Sequence, residues 1–155
     1  MTKLVGINHV ALEVGDVDEA LALYGRLFDF ELRGPAAGGR MAFIDMGDQF
    51  LALQAGRTQP PDEGRHLGLV VDDREAARAA VEREGLRPAP SLPGGLAFFD
   101  PWGNHVEVVD YRDVQFERAP GVKRALGIEG LEKRDEARRE IAEKGLAEWP
   151  RAGSP

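Results

Sequence analysis

The sequence predicts an α+β protein made of two copies of one strand-helix-strand-strand-strand unit, followed by a helical tail. Three observations carry this. Short β-rich runs, bounded by Gly, Pro and Asp clusters, alternate with two stretches whose apolar residues recur at helical spacing. The order of elements then starts again at a nearly constant offset: His9 to His66 and Asp16 to Asp73 are both 57 residues, Phe43 to Phe98 and Asp45 to Asp100 both 55, and Gly47 to Gly103 is 56. Beyond residue 112 the alternation stops and a charge-rich segment begins.

The first copy opens on Gly6-Ile7-Asn8-His9-Val10-Ala11-Leu12-Glu13-Val14. Val10, Leu12 and Val14 share one face of this strand, and Ile7, His9, Ala11 and Glu13 share the other. Asp16 is placed to cap a helix, in which Ala20, Leu21, Leu23, Tyr24, Leu27 and Phe28 follow helical spacing up to about Asp29. Phe30 to Arg33 reads as a second strand, residues 34–39 as a Gly-rich loop, Arg40 to Asp45 as a third strand and Gln49 to Gln54 as a fourth. Residues 56–65, with Pro60-Pro61, read as a polar linker.

The second copy repeats the plan. His66 to Val71 is a strand, Asp72-Asp73 caps a helix through Ala76, Ala77, Ala80 and Val81, and Gly85 stops it. Leu86-Arg87-Pro88 is a short edge strand and Pro90 to Gly95 a loop. Leu96 to Phe99 and His105 to Val109 form a hairpin around Asp100-Pro101-Trp102-Gly103-Asn104. The expected modules are thus residues 5–56 and 64–112, one domain of about 5–112 in all, with 113–155 as a C-terminal extension. Each copy, at about 50 residues, is too small to bury a core well by itself, so the two should pair within the chain or across a dimer. In the extension, Gly121 to Gly127 reads as one helical turn, Leu131 to Lys144 as a helix ended by Gly145, and Arg151 to Pro155 as a frayed end.

Bulk composition narrows the function. The 155 residues are 43% apolar and 30% charged, the balance of a folded soluble domain. With no cysteine, disulfides, thiolate metal sites and a Cys nucleophile are excluded. The net charge of −7 argues against nucleic acid or an anionic membrane as a partner. The start, MTKLVGINHVALEV, lacks the apolar run and cleavage site of a secretory signal, and a cytoplasmic location is expected.

The chemistry centres on Glu107. It sits in a Val-rich strand two residues after His105, so both point to one face while Val106 and Val108 point to the other. Burying that carboxylate is costly without a partner. His9 and His66 fall at equivalent positions on the first strand of each copy. If equivalent faces of the two copies turn inward, His9, His66 and Glu107 can converge on a divalent metal (Fe, Mn, Zn or Ni), with coordination positions left open. His105 and Tyr111 are candidates for acid–base work beside it. Trp102 reads as a packing or lid residue.

At these residues the chain resembles the vicinal oxygen chelate superfamily, the glyoxalase, bleomycin-resistance and extradiol dioxygenase group. The resemblance rests on INHVALEVGDVDEALALY, the run His66 to Asp73, and FFDPWGNHVEVVDY. It implies paired βαβββ modules forming a U-shaped, partly closed sheet around a metal, with His9, His66 and Glu107 as ligands. The substrate would be a small organic molecule held by vicinal oxygens, and the protein a homodimer. Glyoxalase I-like members use a fourth ligand on the last strand of the first module. Aligned on Gly47 and Gly103, that place is Leu51, with Gln49 opposite His105. A His-His-Glu set resembles extradiol dioxygenases and the fosfomycin-resistance thiol transferases. The latter also share the chain's length and 57-residue His spacing, but carry Thr where Ala11 stands here. Extradiol-like dioxygenation leads. Lyase, isomerase or thiol-transfer chemistry, and metal-free sequestration of the bleomycin-resistance type, are the alternatives.

Overall fold

Eight strands and four helices follow the expected order. The computed structural model describes residues 2–4 and 6–146. Val5, the expected start of the first module, and residues 147–155, including the end expected to fray, lie outside them.

The first module comprises β1 (His9–Val14), α1 (Val17–Leu27), β2 (Glu31–Ala36), β3 (Met41–Asp45) and β4 (Phe50–Ala55). The second comprises β5 (Leu67–Val71), α2 (Arg74–Arg83), β6 (Arg87–Pro88), β7 (Leu96–Phe99) and β8 (His105–Asp110). Each builds its own mixed four-stranded sheet, ordered β1-β4-β3-β2 and β5-β8-β7-β6. In each sheet the first and last strands of the module run parallel and the rest antiparallel.

Local chemistry sets the boundaries. The Asp16 carboxylate accepts the Glu19 amide at 2.9 Å, and the Asp73 carboxylate accepts those of Glu75 and Ala76 at 3.0 Å each. Both fill donors that a helix start leaves open. Strand β2 runs three residues beyond the expected Arg33. Its register shifts between Leu32 and Pro35, and as an edge strand it tolerates a proline.

The cores meet between the modules. Leu12, Val14, Ile44, Leu51 and Leu53 cover one side of α1. Leu23 and Leu27, on another side of the same helix, pack with Ala77, Ala80, Phe98, Val106 and Val108. Trp102 touches both clusters, the packing role read for it in the sequence. Polar contacts reinforce the joint: Tyr24 Oη donates to Asp100 at 3.2 Å, Asn104 Nδ2 to the Glu13 carbonyl at 3.0 Å, and Arg26 Nε to Glu84 at 2.8 Å.

A 3-10 turn (Tyr111–Asp113) joins the second module to the extension, which forms α3 (Pro120–Ala125) and α4 (Asp135–Glu143). The last helix starts four residues later than its composition predicts. The backbone ahead of it is engaged elsewhere: the Arg134 amide donates to the Arg112 carbonyl at 2.8 Å, and buried Lys133 donates through Nζ to the Tyr111 carbonyl at 2.5 Å. Ala137 and Ile141 are the buried residues of α4. Among the described residues no helix is long and apolar enough to cross a membrane.

Candidate functional site

Strand register decides which side chains share a wall. In the second sheet Gly68 lies opposite Glu107, Leu67 opposite Val106, and Phe99 opposite His105. Val106 and Val108 go into the core, so His105 and Glu107 point away from it. His66, just ahead of β5, reaches the same wall. Its Nε2 stands 3.5 Å from Glu107 Oε2, and its ring centroid 5.2 Å from that of His105.

These three line a cavity of about 280 Å³ with Pro90, Ser91 and Leu92 from the loop before β7. His66 is half exposed and Glu107 partly exposed there. His105 is only 6% exposed, and neither of its ring nitrogens has a hydrogen-bond partner. A buried imidazole without partners is costly. Gly68 leaves the wall beside Glu107 bare, with no heavy atom within 4 Å of where its Cβ would be.

The start of β8 is fixed by the linker. The His105 amide donates to Asp62 Oδ2 at 3.2 Å, and the Asp62 amide to the Gly103 carbonyl at 2.8 Å. Burial works against the charge of Asp62. Hydrogen bonds from Arg65, the His105 amide and Arg57 outweigh it and hold the carboxyl below its ordinary range. Arg57, nearly buried, also binds Asn104 and the Pro60 carbonyl. Residues 56–65, expected as a polar linker, thus anchor β8 through the buried Arg57–Asp62 pair.

His9 is placed elsewhere. It begins β1 on the open face of the first sheet, exposed, stacked on Phe50 with ring centroids 4.7 Å apart. Its Nδ1 lies 2.7 Å from Asn8 Oδ1. Among the described residues no three His, Asp or Glu side chains of one chain are grouped to hold a metal. The chain therefore brings His66 and Glu107 together, with His105, but not His9. Tyr111 does not line the cavity. Its hydroxyl donates to Glu117 at 2.8 Å, and Lys133 Nζ lies 3.4 Å from its ring centroid. Burial first, and Glu117 second among the groups that raise it, push this phenol up to about 12.

The register also corrects the match between the modules. His9 pairs with Phe50 and Ala11 with Ala52, whereas Gly68 pairs with Glu107. Ala52, not Leu51, is thus the counterpart of Glu107, and Phe50, not Gln49, that of His105. The first turn carries one more residue after its glycine than the second, so aligning the glycines slips the strand by one. Leu51 lies in the core. The conclusion that the first module adds no ligand on its last strand is unchanged, since alanine cannot coordinate. Gln49 is occupied as well, donating to the Ile7 carbonyl at 3.2 Å and accepting from Arg118 at 3.1 Å.

Residues 6–108 match the family model described as the Glyoxalase/Bleomycin resistance protein/Dioxygenase superfamily. The chain belongs to this superfamily. Solved structures of the same fold include the fosfomycin resistance protein FosX from Mesorhizobium loti, 21% identical, with a TM-score of 0.56 over 68% of this chain and 91% of that one. A variant of FosX from Listeria monocytogenes, complexed with Mn(II) and 1S,2S-dihydroxypropylphosphonic acid, is 17% identical, with a TM-score of 0.58 over 68% and 90%. A glyoxalase family protein from Bacillus anthracis is 20% identical, with a TM-score of 0.56 over 71% and 98%. No curated protein matches the chain in sequence. The superfamily match ends before Tyr111, so the extension lies outside it.

A divalent metal fits the donors on the second wall. His66 Nε2 and the Glu107 carboxylate are a nitrogen and an oxygen donor facing one cavity, with the unpartnered His105 beside them. Among the described residues, Glu107 has no ion-pair partner other than His66.

Proposed function

We propose that this protein is a metal-dependent superfamily enzyme that acts on a small organic substrate with two vicinal oxygens, as a homodimer. The observation that carries the reading is the His66–Glu107 pair, 3.5 Å apart on a cavity wall next to a buried histidine without hydrogen bonds. The Listeria FosX variant, of the same fold, is complexed with Mn(II). His9 stands exposed at the start of β1 on the first sheet. In this reading His9 of a second copy completes the set begun by His66 and Glu107, giving two imidazoles and one carboxylate.

A bound divalent metal supplies Lewis acidity to neighbouring substrate oxygens. The remaining roles belong to the chain. Glu107 brings the negative charge and His66 a neutral nitrogen donor. His105, on the same cavity wall, is the acid–base group of this reading. Pro90 and Leu92, both exposed, give the cavity an apolar edge. Around His9 the first sheet offers Phe50, Phe43 and Ala11, with Phe43 and Phe50 edge-to-face at 5.3 Å. That wall suits a flat apolar body rather than a phosphonate, and Ala11 supplies no hydroxyl. Ring-cleaving dioxygenation of a catechol is therefore the leading reaction, ahead of lyase, isomerase or thiol-transfer chemistry.

Elemental analysis of the purified protein beside His66→Ala and Glu107→Gln variants tests the metal. Stoichiometric metal, lost in both variants, is the expected result. Oxygen uptake with a panel of catechols under Fe(II) tests the reaction. One observation favours a second reading, metal-free sequestration: among the described residues no three ligands of one chain converge. Absence of bound metal, with ligand binding unchanged in Glu107→Gln, would establish it instead.

A further inference from the structure

We propose that the C-terminal extension positions His9 through Arg118 and Gln49, making Arg118 a positioning residue of the site. The inference rests on the reading of His9 as a metal ligand. His9 is the first residue of β1, and residues 6–8 ahead of it are irregular and exposed. A ring at such a point is only as fixed as the backbone that leads into it.

Two contacts hold that backbone. The Phe50 amide donates to the Asn8 carbonyl at 3.4 Å, a long bond, and Gln49 Nε2 donates to the Ile7 carbonyl at 3.2 Å. Asn8 Oδ1 in turn faces His9 Nδ1 at 2.7 Å. In the tautomer in which Nδ1 donates to that oxygen, Nε2 is the nitrogen left for a metal.

Gln49 is oriented from its other end. Its Oε1 accepts from Arg118 Nη2 at 3.1 Å, and Arg118 Nη1 binds Asp48. The Arg118 side chain is 14% exposed, and its backbone amide donates to Tyr111 Oη at 3.3 Å. Helix α3 seals this contact against the turn between β3 and β4. A Cβ on Gly47 would stand 2.9 Å from Val122 Cγ1 and 3.6 Å from Leu126. A line of contacts thus runs from the extension through Arg118 and Gln49 to Ile7, Asn8 and His9. Fixing a flexible amide at both ends removes rotamer freedom that would otherwise pass to the ligand.

The test compares full-length wild type with Arg118→Lys, Gln49→Glu and Glu107→Gln. Lysine keeps a cation for Asp48 but lacks the fork that also reaches Gln49. Glutamate keeps an acceptor for Arg118 but cannot donate to the Ile7 carbonyl. Mn(II) affinity, melting temperature and the His9 imidazole NMR signals of the metal-free protein are measured. The expected result is about tenfold weaker Mn(II) binding in Arg118→Lys and Gln49→Glu, the lower range for an outer partner of a ligand. Their His9 signals shift and their melting temperatures barely change. Glu107→Gln should lose Mn(II) binding with His9 signals unmoved. Unchanged affinity and unchanged His9 signals in the first two variants, with binding lost in Glu107→Gln, overturn the positioning role and leave the metal reading standing. Failure of the wild type to bind Mn(II) overturns both.

Discussion

Trp102 closes on Gly15 so tightly that a Cβ there would stand 2.6 Å from the indole Nε1 and 2.8 Å from Cδ1. Gly15 ends β1 of the first module, and Trp102 sits in the turn before β8 of the second. The contact therefore fixes how the two modules sit against each other, and with them the wall that carries His66, His105 and Glu107.

Gly15→Ala should accordingly lower stability by about 1–3 kcal/mol, the usual range for overpacking. Thermal unfolding should show a drop of a few degrees, about 2–4 °C per kcal/mol for a chain of this size. The indole is the flexible partner, so its fluorescence should change as well. An unaltered melting curve and spectrum would mean that the indole moves aside freely.

His105 separates folding from chemistry. Its nitrogens are unpartnered, and its ring packs 5.2 Å from that of Phe99. Exchanging a buried polar ring without hydrogen bonds for an apolar ring of similar shape is close to neutral or stabilising. His105→Phe should keep the melting temperature and the bound metal. Turnover of any catechol found by oxygen uptake should fall by about 10²–10⁴, the scale of a lost acid–base contact. Loss of the metal would instead make His105 a ligand.

Lys133 gives the extension a pH signature. Burial lowers its amine to about 8, against an ordinary value of 10.5. Between those values the unfolded chain binds the proton that the folded chain has lost, so stability rises with pH over that window. Tyr111 acts in the opposite sense above pH 10, because its folded value is near 12 and the unfolded phenol ionises first. Urea unfolding should therefore show stability increasing from about pH 8 to 10 and then declining. In Lys133→Met the rise below pH 10 should vanish. A rise that survives the substitution assigns it to another group.

Much of this was legible in the sequence because it is local. Asp16 and Asp73 announce helix starts through their own side chains, and Asp100 to Asn104 announce a turn. The repeat showed that His9 and His66 hold equivalent places. Aligning the two turns on Gly47 and Gly103 places Leu51 against Glu107 only because the first turn carries one more residue after its glycine. Leu51-Ala52-Leu53 and Val106-Glu107-Val108 share the apolar alternation, and matching that period places Ala52 opposite Glu107's position. The late start of α4 was hidden because charge-rich composition does not reveal that Lys133 buries its amine on Tyr111. Periodicity assigns a face to His9 and a face to Glu107, but which faces meet depends on packing between modules. In one chain α1, Trp102 and α2 occupy the joint between the modules.

Whether His9 of one copy completes the His66–Glu107 pair of another is tested most directly by mixing two variants. His9→Ala and Glu107→Gln are purified separately, unfolded, combined, refolded and titrated with Mn(II). Each alone should bind the ion weakly. The mixture should regain tight binding, because one copy brings an intact His66 and Glu107 and the other an intact His9. A mixture that binds no better than its parents would contradict a site shared between copies.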